Sequence, residues 1–186
     1  MARVRPARCY RKVERPWTRV SRFSKKNYVK GAPPTKIRMF EFGQLRGDEN
    51  YELKLVCLQP RQIRDIAIEA ARVQIRKTLE KVLGNSGYRV IINKYPHQIL
   101  REHKLANVAK ADRFFQGMRL AFGKPIGRAI IVKRGDVIFT IKINQKFAEL
   151  ARKALKKAAY KIGCKTTIVE RKLKDEVYKA SQPADK

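Results

Sequence analysis

Tyr51-Glu52-Leu53-Lys54-Leu55-Val56-Cys57-Leu58, followed by Gln59 and Pro60, is the stretch on which the fold turns. Side chains on a strand alternate between its two faces, and here Tyr51, Leu53, Leu55 and Cys57 share one face. That pattern predicts a half-buried strand. Pro60 suits the first turn of a helix, because proline has no amide proton to lose there. The run from Pro60 to Leu83 is predicted helical, with Ile63, Ile66, Ala67, Ala70 and Val73 as its core stripe and Gly84-Asn85 as its stop.

Working outward, Thr35 to Phe42 reads as a strand, and Gly43 to Asn50 as the hairpin loop that joins it to the Tyr51 strand. Tyr88 to Tyr95 reads as another strand. Ile130 to Lys133 and Val137 to Ile143 flank Arg134-Gly135-Asp136, which predicts a second hairpin. Gln145 to Lys161 reads as a second helix. Its stripe is Phe147, Leu150, Ala151, Ala154, Leu155 and Ala158, opposite Lys146, Arg152, Lys153, Lys156 and Lys157. Gly163 ends it, and Lys165 to Lys172 makes a last strand. Strand pairs interspersed with two helices predict an α+β sandwich, helices on one face of a mainly antiparallel sheet. The domain division is an arm at 1–34, a core at 35–173 and a frayed tail at 174–186.

Charge supplies the functional signal. The 186 residues hold 45 Lys and Arg against 16 Asp and Glu, a formal net charge of +29. Such a charge repels itself in a compact state, so a polyanion is the expected partner, and nucleic acid gains most by releasing counterions. With 44% hydrophobic residues the chain can still build a core. No run approaches the length of a membrane span and no secretion signal opens the chain, so no membrane partner is expected. Cys9, Cys57 and Cys164 are odd in number and far apart, which predicts reduced thiols in a cytoplasmic protein. Only His97 and His103 supply imidazoles and no CxxC pair exists, so neither zinc nor any other cofactor is expected.

Met1 to Lys30 carries a net charge of +10, with Tyr10, Trp17, Phe23 and Tyr28 spaced among the cations. It shows no period, and reads as an extended arm ordered on RNA by arginine forks and stacking rings rather than as a solvated tail. A second unpatterned segment, Arg101 to Phe122, is long for a connection inside a compact domain. Its second half, Ala111 to Phe122, is predicted to form a short helix ended by Gly123. Arg101, Lys104, Lys110, Arg113 and Arg119 face only Glu102 and Asp112 in charge, which favours a phosphate-facing finger.

Other motifs carry less. Gly117 to Pro125 superficially resembles a phosphate-binding loop, yet its spacing is one residue too long. Pro125 also stands where Ser or Thr would hold magnesium. The Arg-Gly-Asp triplets at Arg46 and Arg134 read as hairpin turns. No nucleophile stands at a meaningful spacing from the two histidines, so an RNA-modifying enzyme is disfavoured. A DNA-compacting protein is disfavoured by the lack of a groove-entering helix.

The motifs Arg5-Pro-Ala-Arg-Cys-Tyr-Arg11, Lys36-Ile-Arg38, Glu69-Ala-Ala-Arg72, Ala111-Asp-Arg113, Gly117-Met-Arg119 and Ala121-Phe-Gly-Lys-Pro125 form a specific set. Over about residues 3 to 172 the chain resembles the universal large-subunit ribosomal protein sixteen family, in its archaeal and eukaryotic "L ten e" branch, and looks archaeal. The resemblance implies an α/β-hammerhead-like α+β sandwich, seated between the central protuberance and the peptidyl transferase centre. It implies rRNA contacts, assigned here to Arg3, Arg5, Arg8, Tyr10, Arg11, Arg15, Trp17, Arg19, Arg22, Lys25, Lys26, Lys36, Arg38 and Arg72. It further implies that the loop at 101–119 lies beside A-site tRNA, with P-site tRNA as a further partner. Arg101, His103, Lys104, Lys110, Arg113, Arg119 and Lys124 are the tRNA-proximal residues. Neighbouring ribosomal proteins, a monomeric state within the ribosome and late entry into the subunit are also implied. Relatives commonly carry Ala-Gly-Ala before Asp-Arg, where this chain has Ala109-Lys110-Ala111, adding a charge at the loop tip.

Overall fold

In the computed structural model, the described residues are 5–13, 23, 25, 29, 31–102 and 123–173. Two antiparallel sheets and two helices make an α+β fold. The strands are β1 (Glu41–Phe42), β2 (Tyr51–Cys57), β3 (Arg61–Arg64), β4 (Tyr88–Ile92), β5 (Gln98–Glu102), β6 (Lys124–Val132), β7 (Val137–Ile143) and β8 (Thr166–Lys172). Helix α1 is Asp65–Leu83 and helix α2 is Ala148–Ile162. The five-stranded sheet runs β1-β4-β7-β2-β8 and the three-stranded sheet β3-β6-β5, every pairing antiparallel.

Strand β2 sits inside the large sheet, paired with β7 on one side and β8 on the other. Its alternation is real: Leu53, Leu55 and Cys57 are fully buried. They meet α2, whose Ala151, Ala154, Leu155 and Ala158 present a smooth, fully buried stripe. Small alanines let the helix approach closely, while Leu155, Phe139, Ile141 and Ile143 fill the volume between. Helix α1 packs against α2 and against β3 and β6 of the small sheet. None of the described helices is long and apolar enough to cross a membrane.

Four sequence expectations need correction. Pro60 does not start a helix; Arg61–Arg64 is a strand, because pairing with β6 buries Ile63 opposite Ile130. Helix α1 therefore starts at Asp65, whose carboxylate accepts the Ile66 amide (2.8 Å) and suits the positive end of the helix dipole. Its buried face is Ile68, Ala71, Ile75 and Leu79, leaving Ile66 exposed; anchoring the period on Pro60 put the stripe out of phase.

Second, the Thr35 strand shrinks to Glu41–Phe42 and joins β4, not β2. The Lys36 amide donates instead to Asp65 (2.9 Å), which diverts residues 35–40 to the start of α1. Gly43 to Asn50 is thus no hairpin loop. Gln44 and Gly87 bond it to the turn after α1, and the Glu49 carboxylate accepts the Arg46 and Gly47 amides. Gly43, at φ +90°, lies so close to Tyr88 that a Cβ would fall 2.4 Å from its carbonyl oxygen. Only glycine fits there.

Third, Lys133 to Asp136 does turn, but the strands on either side separate. β6 enters the small sheet and β7 the large one. Cys57 holds the corner by donating to Asp136 O (2.9 Å) and accepting from the Gly135 amide (2.8 Å). One predicted sheet is therefore two. Fourth, the Tyr88 strand ends at Ile92, and β5 occupies Gln98 to Leu100, to which the sequence reading assigns no element, and the first two residues of what read as a loop. The last strand and both glycine stops at Gly84 and Gly163 stand as read; the second helix does too except at its start, where Gln145–Phe147 is a 3-10 turn, α2 begins at Ala148, and Phe147 is exposed rather than part of the core stripe.

Candidate nucleic-acid interface

Apart from Glu149, exposed in the first turn of α2, the described acids have structural tasks. Glu69 takes a forked pair from Arg72 (2.9 and 2.6 Å), Glu80 pairs with Arg76, Glu41 with Arg89, Asp136 with Lys94 and Glu52 with Lys54. Glu170 binds Arg152 through two bonds (2.5 and 2.9 Å) and also accepts the Tyr51 hydroxyl (2.5 Å). The Arg152 and Tyr51 bonds hold its carboxyl down at about 2. Glu49 and Asp65 are buried against backbone amides. Acids fixed in this way leave Lys146, Lys153, Lys156, Lys157 and Lys161 exposed along α2 and its leading turn, outside any described ion pair. Single surface ion pairs stabilise little, whereas a field of unopposed cations is a strong attractor for phosphate.

Two segments far apart in sequence meet at one end of the small sheet. Residues 7–10 form a 3-10 turn after Pro6, and the chain then lies along the free edge of β3, where the Gln62 amide donates to Arg11 O (3.2 Å). Arg64 donates to Arg5 O (3.0 Å), and the Arg5 amide donates to the Tyr10 hydroxyl (3.1 Å). The Arg5 guanidinium reaches Glu102 at 3.0 Å, on the last residue of β5. Glu102 in turn pairs with Lys124, the first residue of β6, and the Arg101 guanidinium donates to Gly123 O (3.0 Å). The chain therefore leaves β5 and re-enters β6 at opposed positions of one ladder. Whatever lies between is inserted at the end of a paired hairpin, and the basic N-terminal segment is tied to its root.

Of the predicted rRNA-binding residues, Arg5, Arg8, Arg11, Lys25, Lys36 and Arg38 are exposed, and Tyr10 is partly so. Lys36 and Arg38 project on either side of buried Ile37 beside the start of α1. Arg72 stands apart from them. It is buried, with its guanidinium 5.7 Å from the Phe42 ring and forked onto Glu69, whose carboxyl that bond holds below its ordinary value. Its cation closes the core edge rather than facing solvent. Of the loop residues, Arg101 is half-buried and Lys124 exposed. Arg3, Arg15, Trp17, Arg19, Arg22, Lys26, His103, Lys104, Lys110, Arg113 and Arg119, with the Ala111 to Phe122 helix and the tail, lie outside the described residues.

Sequence reasoning missed Arg61, Arg64, Arg128 and Tyr160. Arg128 donates to Pro33 O (2.7 Å), pinning the chain that leads from the arm into the core, and Tyr160 projects from α2 with 85% of its surface exposed. An exposed tyrosine flanked by lysines was the available signal for Tyr160. The two arginines of β3 were concealed by the helical reading of that stretch. Among the described residues no three His, Cys, Asp or Glu gather as a metal site would require.

An α+β frame with a row of exposed lysines along α2, and with a basic segment and a long insertion tied to one hairpin end, has the build of a scaffold protein rather than of a catalyst cleft. A profile of the ribosomal protein L16p/L10e family matches residues 16–169. The large ribosomal subunit protein uL16 of Archaeoglobus fulgidus is 45% identical over 172 residues, covering 92% of this chain and 95% of that protein. The protein of the same name from Nanoarchaeum equitans is 50% identical over 145 residues, covering 76% and 78%, and that of Metallosphaera sedula 41% identical over 175 residues, covering 93% and 97%. The chain belongs to the ribosomal protein L16p/L10e family, in company with archaeal relatives.

Proposed function

We propose that this protein is a structural constituent of the large ribosomal subunit that binds large-subunit rRNA and presents its β5–β6 insertion toward A-site tRNA, and beyond it P-site tRNA. The observation that carries this is the joint root formed by Arg5, Glu102, Arg101 and Lys124, where a basic segment and a long insertion are fixed to the same hairpin end. A polyanion held by the one is thereby positioned for the other. The relatives' names place those proteins in the large subunit. The two-sheet sandwich accords with the α/β-hammerhead-like arrangement that the resemblance implies. The division into arm, core and tail belongs to the same reading, as does work on cytoplasmic ribosomes as a single copy beside other ribosomal proteins.

The chemistry is recognition without reaction. Arginine forks take phosphate oxygens, flat rings take unpaired bases, and the frame fixes where both are offered. Peptidyl transfer is left to RNA, and no cofactor has a role. Entry late in assembly fits a protein whose ligands are already folded RNA surfaces.

The test replaces residues 103–110 with a short Gly-Ser link, keeping Glu102 and its Arg5 pair. Large subunits that carry the variant at normal occupancy should accommodate aminoacyl-tRNA more slowly or less accurately. Normal accommodation on fully occupied subunits would reduce the insertion to a surface connection. Failure of the wild-type chain to cosediment with large subunits through a high-salt cushion would remove the ribosomal reading altogether.

A further inference from the structure

Between the 3-10 turn at residues 7–10, strand β3 and the last turn of α2 lies a cleft of about 210 Å³. Arg11, Arg61, Arg64 and Lys161 line it, together with Gln62 and Tyr160, and no acid does. None of these four cations takes part in a described ion pair. Its walls are fixed from three directions: Arg61 donates to Gly163 O (2.5 Å), Arg64 to Arg5 O (3.0 Å), and the Gln62 amide to Arg11 O (3.2 Å). Two buried polar atoms of the lining have no partner, the Gln62 side-chain oxygen and Arg64 Nε. Buried groups left unpaired are uncommon and call for an explanation, which a ligand can supply.

We propose that this cleft is a socket for one unpaired RNA nucleotide, with its base against the Tyr160 ring and its phosphates on Arg11, Arg61 and Lys161. The proposal rests on the rRNA-binding reading above and assigns it a particular site. Size permits it: about 210 Å³ exceeds the roughly 150 Å³ of a cavity that takes up benzene, so a single heterocycle has room. Charge favours it, because a cleft with four cations and no acid attracts phosphate. Chemistry favours it as well. Single-stranded RNA is held chiefly by stacking on aromatic faces, and Tyr160 offers such a face at 85% exposure. An unpartnered acceptor and an unpartnered donor, on Gln62 and Arg64, match a base edge that carries both. The end torsion of a glutamine side chain is broad, so its carboxamide can turn toward that edge at little cost.

The lining shares no residue with the root at Arg5, Arg101, Glu102 and Lys124 or with the Lys36–Arg38 patch, and it is assembled only once the N-terminal segment lies on β3. A nucleotide bound there would lock that segment against the core. Recognition and ordering of the arm would become one event.

The experiment measures binding of the full chain to deproteinised large-subunit rRNA over a range of KCl, followed by crosslinking at 254 nm and mass spectrometry. Tyr160→Ala should weaken binding about tenfold at every salt concentration and leave the salt slope unchanged, because stacking releases no counterions. Tyr160→Phe should restore it. Arg61→Ala should instead lower the slope by about one. The wild-type peptide containing Tyr160 should carry a single-nucleotide adduct. Exposure of Tyr160 means that its variants keep the wild-type thermal transition, so weakened binding cannot be misfolding. Undiminished affinity of Tyr160→Ala, with no adduct on that peptide, would overturn the socket and leave rRNA binding standing. An adduct to a neighbouring ribosomal protein in assembled subunits would overturn it too. Loss of rRNA binding by the wild-type chain would sink the general reading and the socket with it.

Discussion

The two sheets divide the labour. The five-stranded sheet runs its ladders under α2, and its buried residues are almost wholly apolar: Leu53, Leu55, Val90, Phe139, Ile141, Ile143. The three-stranded sheet buries Ile63, Ile130 and Val132 in the same core, yet it also carries Gln62, Arg64, Arg101 and Glu102, with polar atoms that find no partner in Gln62 and Arg64. The N-terminal segment docks on its edge and the long insertion springs from its end. One half thus supplies stability and holds the other half in place. In the socket proposed above, the unsatisfied polar groups of the smaller half, on Gln62 and Arg64, are the ones that would meet the RNA.

The sharpest way to break this division is to open the large half. Phe139→Ala removes a fully buried ring and should lower the unfolding free energy by about 3–5 kcal/mol, read by urea denaturation. Molecules that remain folded should keep their rRNA affinity. If affinity fell as much as stability, the two halves would not be separable.

The next effect belongs to binding alone. Should roughly eight phosphates be neutralised, log K for rRNA against log salt should have a slope of about −6 to −7. A slope near −1 would mean that the cationic field is idle. Deleting residues 1–30 should reduce that slope while the α2-covered sheet keeps a cooperative thermal transition. It should also raise hydrogen exchange at the Gln62 amide, which loses its Arg11 acceptor. Protection unchanged at Gln62 would show that the segment does not dock.

Smaller effects probe single bonds. Arg5→Ala should change global stability little, since the arginine side chain is itself about half exposed. It should nevertheless loosen the insertion root, seen as faster exchange at the β5 and β6 amides. At low pH, Glu170 should matter in a defined window. Its carboxyl is lowered to about 2 by Arg152 and Tyr51, so its contribution is present above the ordinary carboxylate value of 4.5 and is lost as pH falls toward 2. Glu170→Gln should flatten the acid limb of the stability curve there, and an unchanged limb would refute the assignment. Least of all, Cys57 should resist alkylation until the protein unfolds. Burial pushes its thiol up to about 12 and Cys164 stands 3.6 Å away, whereas exposed Cys9 should label at once.

The half that is stable is also the half that could be read. Alternation at Tyr51–Cys57 and the alanine stripe of α2 follow from periods of two and 3.6, which depend only on local order. The small sheet was illegible for a physical reason. Arg61–Arg64 is only four residues long, and partners from β6, across the intervening chain, decide its conformation. The exchange of a hairpin for a sheet-crossing corner at Lys133–Asp136 has the same origin, since Cys57 fixes that turn from a distant strand. For the site, charge and spaced aromatics led to the expectation of a polyanion, and motif resemblance revealed the family. That Arg5 and Glu102 meet, or that Tyr160 and Arg61 line one cleft, could come only from the fold. Arg72, assigned to rRNA through the motif resemblance, is buried because it shares the inner face of α1 with Ile68, Ile75 and Leu79.

The paired ends at Glu102 and Lys124 have a consequence for how this protein can vary. A connection whose two feet are clamped to one ladder is a closed ring as far as the rest of the chain is concerned. Its ends are brought together by the sheet, and each doubling of its length adds only about 0.6 kcal/mol of closure entropy. Lengthening it, shortening it or grafting in a reporter domain therefore leaves the register of β5 on β6 nearly untouched. Reach can be tuned at that point without renegotiating the core, so the hairpin end is a socket into which fingers of different length could be fitted.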